Sequence, residues 1–555
     1  MKNKIKRNSF VEGTLIAYFA IILSKLIGAF YSIPFYAIIG ERGGVVYSCA
    51  YNIYNLFLTI STSGIPTAIS IIISEYNSLK MFAAKEKAHK TARNTVFIIS
   101  LLAFILLFAT APFIGRFFLG SDAQGDDVTA AIRTVSFCLL VVPFLSIRRG
   151  YLQGHAYIAP SSTSQVIEQF VRVFVILVGS YVAVIVLNQS QTVGVCVALT
   201  GALAGALAAY FYLSFKMKAN RSAFLPAEGD VVNDTQVSTK ETLKKIARIC
   251  IPLIIVAISS NIYDITDMKL VITGLSSLDE YSAADSEVIA SIIATWGPKI
   301  CVLITSLAMG LTSSMIPHMV DSFVKNDRQG VNRKFNQAVG TILVLAVPMA
   351  VGMCLLSHPL YYVFYGESRF GPTLMRLLPF LRIFESVSMV ASMCLQSIGL
   401  AKVVCFTSVG GLLINAACDV PFIYLCHFLG LPAYWGAGFS SMLGYTVSIA
   451  AVFILLKKKY GLKYFSLVKT VAKVILGLIP MIAVVLLCLH FIPMSGGRLV
   501  QFVLMALIAL LGARSISSLS SPSVISGSTP STSFKFAFAS ASTAKTGCFP
   551  FSHKY

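Results

Sequence analysis

The chain has 555 residues, of which 56% are hydrophobic and only 12% charged, against about 25% charged in an ordinary soluble protein. It cannot cover itself with polar surface, which excludes a water-soluble enzyme. Its 44 Lys and Arg against 23 Asp and Glu give a net charge of +21, a basic excess that suits nucleic acid or a membrane, and the apolar content decides for the membrane, with no nucleic-acid partner.

A helix needs about 20 apolar residues to cross the hydrocarbon core. In chain order, spans are predicted near 11–39, 45–74, 95–119, 129–147, 164–188 and 192–215, then, after a polar stretch, near 246–274, 288–317, 338–364, 374–399, 404–428, 432–456, 469–492 and 499–513, fourteen in all. The basic N-terminus resembles the start of a signal peptide. The apolar stretch behind it, from Val11 to about Ile39, is too long for one and lacks a small-residue cleavage site, so it reads as a retained first helix. The expected fold is an all-α membrane protein. An N-terminal lobe covers 1–217, a cytoplasmic linker 218–245, a C-terminal lobe 246–456 and two appended spans 457–513. Residues 514–555 form a Ser-rich segment, read as a disordered tail or an artefactual terminus.

Lys and Arg set the expected orientation. Lys2, Lys4, Lys6 and Arg7, Lys80 to Arg93, Arg148 and Arg149, Lys216 to Lys245, Lys325 to Lys334, Lys402, and Lys457 to Lys463 fall on one side. The alternate loops carry acids, as in 121–127 and 278–287, the latter read as a solvated loop. The N-terminus and the 216–245 linker are therefore placed in the cytoplasm of a bacterial cell, with the chain crossing the plasma membrane many times.

The two halves echo one another. Thr62-Ser63-Gly64-Ile65-Pro66 corresponds to Thr312-Ser313-Ser314-Met315-Ile316-Pro317, Pro112 with Phe118-Leu119-Gly120 to Pro359 with Phe364-Tyr365-Gly366, and Tyr151-Leu152-Gln153 to Cys394-Leu395-Gln396. Six spans per repeat is even, so the repeats are parallel, a transporter architecture that holds substrate between its halves. The twelve cysteines form no CxxC pair, and the His residues are too scattered for a metal site. Trp296 and Trp435 are too few to build a binding cage.

Ionisable groups at mid-bilayer cost at least about 2.5 kcal/mol, so they face a cavity or a partner. Lys25 lies roughly 21 Å into the first span at 1.5 Å per residue, and Lys299 near the middle of the eighth; neither has an acid at i±3 or i±4. They pair with an acid on another helix, Asp419 being one candidate, or snorkel, or project into an aqueous cavity and attract an anion. Glu168 with Arg172 (i, i+4) and Arg382 with Glu385 (i, i+3) favour self-neutralising pairs, a gate or ion-coupling role being the other reading. Asp264, Asp267 and Lys269 are a gate, an ion site, or an interfacial helix end.

Gly64-Ile65-Pro66-Thr67-Ala68-Ile69-Ser70 followed by Ser74-Glu75-Tyr76, Ser24-Lys25-Leu26-Ile27-Gly28, and Arg149-Gly150-Tyr151-Leu152-Gln153-Gly154 with Ser164-Gln165-Val166-Ile167-Glu168-Gln169 and Arg172-Val173 resemble signatures of the stage V sporulation protein B family. The resemblance runs over most of 10–460. That family belongs to the MOP superfamily and is close to the MurJ-type lipid II flippases. The resemblance implies two lobes around a cationic cavity and no enzymatic activity. It implies alternating-access transport of an undecaprenyl-pyrophosphate-linked precursor, with spore cortex peptidoglycan synthesis as a candidate process. Lys299 then matches a functional arginine of the flippases' eighth helix and Lys25 a basic position of the first, with Arg172 as a helper. The chain departs from the flippases at Tyr31-Ser32, where their first-helix arginine falls. No cofactor is expected; membrane potential, Na+ or H+ are candidate energy sources, and lipid II or another lipid-linked oligosaccharide, the bilayer and cell-wall synthesis proteins candidate partners. The rival readings are a cation-coupled multidrug exporter, which would need acidic sites in the cavity, a membrane-embedded glycosyl- or acyltransferase, which would need a clustered acid/base set, and a scaffold.

Overall fold

The computed structural model describes residues 10–62, 64–119, 123–224, 237–308, 319–320, 322–323, 325, 327–492 and 496–519. Lys2, Lys4, Lys6, Arg7, Gly120, the second-half repeat motif at 312–317, much of the linker and residues 520–555 lie outside them. The regular structure of the described residues is helical throughout, as lipid demands of a backbone that must satisfy its own polar groups. The first half holds α1 (Phe10–Phe30), α2 (Ser32–Thr62), α3 (Ile65–Ser78), α4 (Phe82–Leu119), α5 (Ala123–Ser136), α6 (Val142–Gly154), α7 (Ile158–Phe174) and α8 (Gln191–Ala219). The second holds α9 (Thr239–Ser276), α10 (Ala283–Ser291), α11 (Gly297–Ile300), α12 (Val302–Ala308), α13 (Arg328–Leu355), α14 (Ser357–Tyr365), α15 (Gly371–Leu374), α16 (Leu378–Ser397), α17 (Ala401–Phe428) and α18 (Trp435–Tyr460). Two more follow, α19 (Phe465–Phe491) and α20 (Arg498–Leu519).

Among the described residues, eleven helices are long and apolar enough to cross a membrane, or twelve if the pair 283–300 and 302–308, bent by 61°, is one span. The expected count of fourteen is not established. One source of the difference is Gly40, which breaks α2 at φ 66°, a conformation natural to glycine. In a straight helix Tyr31 and Tyr47 would stand about 24 Å apart. Their hydroxyls lie 3.2 Å apart, so the chain folds back at Gly40 and makes two arms of what is contiguous helix in sequence.

Three expectations need correction. The ninth span does not run unbroken to 364: α13 stops at Leu355 and α14 starts anew at Ser357, with Pro359 in its first turn. The acidic segment 278–287 is not merely a solvated loop, because Ser282 and Asp285 form a capping box that starts α10 at Ala283, and Glu287 is buried. The last helix runs on to Leu519, past the expected start of the tail.

Lys80, Lys87, Lys90 and Lys218 mark one end of the bundle as basic; Asp126, Asp127, Asp279 and Glu280 mark the other as acidic. The halves meet most closely toward the acidic end. There one apolar core joins Phe35, Ile39 and Val46 to Ile289, Trp296, Tyr361 and Tyr365. Toward the basic end the second half keeps a core of its own, built on Ile304, Val331, Phe335, Val390 and Leu456. The halves also touch at the basic end, where Ile246 and Ile249 pack against Ile72 and Tyr76 and Lys245 pairs with Glu75 at 2.6 Å, and a space remains between these contacts and the shared core.

Candidate functional site

That space is a cavity of about 560 Å³. From the first half it is lined by Ser24, Lys25 and Gly28 of α1, by Tyr31, by Tyr47, Tyr51, Asn52, Tyr54 and Asn55 of α2, and by Gln165, Glu168, Gln169 and Arg172 of α7. Asp264, Thr295, Pro298, Lys299, Thr305, Arg382 and Glu385 line it from the second half. Seven charged residues singled out in the sequence, Lys25, Lys299, Arg172, Glu168, Asp264, Arg382 and Glu385, thus share one wall-to-wall space. Four are cations and three are acids.

Two of the three acids, Glu168 and Glu385, are ion-paired. Glu168 takes Arg172 at 2.6 Å and Arg149 at 2.8 Å, so the expected i, i+4 pair is formed and a third member joins from α6. Arg149 also donates to Ser164 at 2.8 Å. Arg382 donates to Glu385 at 2.6 Å and interacts electrostatically with Asp264. The two cations with no carboxylate partner among the described residues are Lys25, which is exposed, and Lys299. The Lys299 ammonium is buried with no hydrogen-bond partner, and so is Arg172 Nε.

Asp419 does not serve the lysines. It lies behind the cavity wall, fully buried, with Asn415, Asp267, Ser440 and Ser441. Asn415 Nδ2 donates to Asp267 at 3.0 Å and to Asp419 at 3.2 Å; Ser441 donates to Asp267 at 2.7 Å, and Ser440 donates to Asp419. Asp419 Oδ2 and Asn415 Oδ1 remain buried and unpartnered. The trio 264, 267 and 269 therefore splits three ways around α9. Asp264 faces the cavity, Asp267 joins the buried cluster, and Lys269 reaches across to the Phe117 carbonyl of α4.

Trp296 does, however, take part in a ring cluster not predicted from the sequence. Trp296 lies 4.1 Å from the Lys299 ammonium, with Tyr47 at 4.6 Å, Tyr31 at 5.4 Å and Tyr51 at 5.8 Å. The caged cation is the protein's own. The signal was legible as the Tyr47, Tyr51, Tyr54 stripe at i, i+4, i+7 on α2. Asn415 and Asp419 at i, i+4 inside an apolar span were a second readable signal. The backbone beside these cations is irregular: π-helical turns at Val175–Gly179 and Ile292–Trp296 follow Arg172 and precede Lys299, and the 61° bend follows Ile300.

The remaining motif residues are structural or flank the cavity. Gln165 and Gln169 line it. Gly64 starts α3 at φ 75°, with Pro66 in the first turn. A Cβ on Gly150 would stand 2.6 Å from the Pro66 carbonyl oxygen, and one on Gly154 2.8 Å from that of Ser70, so these glycines let α6 lie directly on α3. Gln153 donates to Ser161 at 3.1 Å, bracing the turn between α6 and α7.

Comparison with known proteins follows from this geometry. Residues 10–296 match the profile of the polysaccharide biosynthesis proteins, and 252–420 that of the MatE proteins. The chain is 32% identical over 497 residues to the lipid II flippase MurJ of Bacillus subtilis (strain 168), covering 87% of this chain and 88% of that one. It is 22% identical over 420 residues to stage V sporulation protein B of the same organism, covering 74% and 77%. Among solved structures, an inward closed conformation of the lipid II flippase MurJ superposes with a TM-score of 0.63 at 16% identity, over 90% of this chain and 98% of that one.

Proposed function

The chain belongs to the polysaccharide biosynthesis protein family of the MOP superfamily of multi-pass membrane transporters, and on that premise we propose that it is a flippase for an undecaprenyl-pyrophosphate-linked cell-wall precursor resembling lipid II. The observation that carries this reading is the pair Lys25 and Lys299, cations without a carboxylate partner among the described residues, lining a cavity between two halves. A buried cation such as Lys299 is costly in a membrane unless something completes it, and a pyrophosphate would, with Lys25 exposed in the same cavity as a second donor. Arg172, whose Nε is unpartnered although its guanidinium holds Glu168, adds a third donor. Asn52, Asn55, Gln165 and Gln169 offer amides to the sugar beside it.

In this reading the N-terminus and the basic end are cytoplasmic, and the headgroup enters there while the lipid tail stays in the bilayer. Closure at the basic end and opening at the acidic end then release it outside. An inside-negative potential favours outward movement of an anion by about 2.3 kcal/mol per charge per 100 mV. Glu168 and Glu385 in the cavity are each ion-paired with an arginine, which disfavours a drug exporter that would load cations on them.

Asp267, Asp419 and Asn415 suit a second role, the coupling of transport to Na+ or H+. The fit is in the donor set: two carboxylates, an amide oxygen and two hydroxyls, with Asp419 Oδ2 and Asn415 Oδ1 unpartnered and buried, are hard oxygen ligands. A bound cation would supply the positive charge that this cluster lacks.

A cortex role in sporulation is supported by the likeness to stage V sporulation protein B. The test is complementation. Expression in a strain depleted of its lipid II flippase restores wall synthesis if the reading holds. Failure, with the protein present in the membrane, moves the substrate to another lipid-linked glycan.

A further inference from the structure

Lys299 belongs to the second half, but three of the four rings around its ammonium, Tyr31, Tyr47 and Tyr51, belong to the first. Cation–π attraction to an aromatic wall holds an ammonium strongly where water is excluded. The same rings are part of the closure at the acidic end. Tyr47 stacks on Tyr51 with centroids 5.3 Å apart, and its hydroxyl meets that of Tyr31 at 3.2 Å. Around them lie hydrogen bonds between the halves: Ser48 to Thr295 at 2.6 Å, Asn52 to Thr295 at 3.1 Å, Trp296 Nε1 to the Gly44 carbonyl at 3.3 Å, and Ser32 to Tyr365 at 3.2 Å. The cavity thus ends at a seal whose nearest charged member is a cation held by rings alone. Arg172, on the first half, lines the same cavity as Tyr31, Tyr51 and Tyr54.

We propose that Tyr31, Tyr47 and Tyr51 are positioning residues that keep the Lys299 ammonium dehydrated and free of any counter-anion, and that a phosphate entering the cavity takes Lys299 from these rings and so unlatches the acidic-end seal. The chemistry is an exchange of partners. Rings attract an ammonium only through a quadrupole, whereas a phosphate offers full charge and hydrogen-bond acceptors, so the exchange runs toward the anion once it is present. Because rings and lysine lie on opposite halves, the exchange removes a contact between halves and gives the ligand a differential affinity for the opened state, without which no ligand can shift a conformational equilibrium. The latch rests on the anion-transport reading above.

Hydrogen–deuterium exchange of the full-length protein in detergent, with and without inorganic pyrophosphate, tests both and separates them. In the wild type, pyrophosphate binds and raises deuterium uptake severalfold in 41–52 and 292–299. Tyr47→Leu shows the raised uptake without pyrophosphate and changes little on adding it, while Tyr47→Phe, which keeps the ring, behaves like the wild type. Tyr51→Leu, at a position less buried than Tyr47, repeats the Leu result with less risk to folding. Pyrophosphate binding with unchanged uptake, or equal uptake in Tyr47→Leu and Tyr47→Phe, overturns the latch and leaves the anion site standing. No pyrophosphate binding by the wild type overturns both.

Discussion

The two halves of the molecule handle buried charge in opposite ways. In the first half, Glu168 is held between Arg149 and Arg172, so one acid serves two cations and the surplus is positive and faces the cavity. In the second, Asp267 and Asp419 share Asn415 and two serines behind the wall, and the surplus is negative and hidden. The proposed ligand site and the proposed coupling site would need opposite surroundings. The cavity draws cations from both halves, Lys25 and Arg172 from the first and Lys299 and Arg382 from the second, whereas the hidden acids lie on the second alone, and α9 carries Asp264 to the cavity and Asp267 to the cluster.

The comparison breaks most visibly at Glu168. Glu168→Ala leaves two guanidiniums without their acid, and losing one partner of a buried ion pair costs about 3–5 kcal/mol. We expect a large fall in thermal stability, measured by scanning fluorimetry in detergent. Glu168→Gln, which keeps hydrogen-bond acceptance, should fall by less. An unchanged melting temperature for Glu168→Ala would show that the cluster is not held as described.

On the other side, Asp419→Asn removes half of the hidden charge. If the cluster binds Na+, NaCl should stabilise the wild type more than choline chloride at equal ionic strength, by about 2.7 kcal/mol at a hundredfold excess over Kd. Asp419→Asn and Asp267→Asn should lose that difference. A wild type indifferent to the choice of cation would leave the proton as the coupling candidate.

Smaller again is Gly150→Ala, which separates packing from charge. Its Cβ would meet the Pro66 carbonyl at 2.6 Å, and overpacking of this kind costs about 1–3 kcal/mol. Stability should drop, while the affinity for pyrophosphate in the protein that remains folded should not. Least affected should be Lys25→Arg. Lys25 is exposed in the cavity, so retained charge should keep flipping within about twofold, where surface exchanges typically shift energies by about 0.5 kcal/mol or less. A collapse of flipping in Lys25→Arg would make Lys25 a shape-specific contact.

What could be read in the sequence follows from which forces act locally. Apolar runs of span length are a local signal, and the spans from 95–119 to 192–215 and from 404–428 to 469–492 coincide with helices. The cost of an ionisable group in such a run is also local, so Lys25 and Lys299 stood out and both line the cavity. The partners were not legible. Arg149 and Glu168 are 19 residues apart, and only the fold of α6 on α7 makes them a pair. Asp419 looked available to a lysine because nothing in α17 shows that Ser440 of the next helix already donates to it. The ring cage needed the reversal at Gly40; the break between the spans 11–39 and 45–74 was legible, but not which side chains it brings together.

The central claim is that an unpaired cation in the cavity carries the precursor's anion, and it is tested most directly by lipid II translocation in proteoliposomes with an imposed inside-negative potential. A hydrogen bond to a charged group contributes about 1.5–3 kcal/mol, or roughly ten- to a hundredfold in rate. Lys299→Ala and Lys25→Ala, folded and inserted, should lose about that factor, and the wild type should accelerate with potential. Translocation by both variants at the wild-type rate would contradict it.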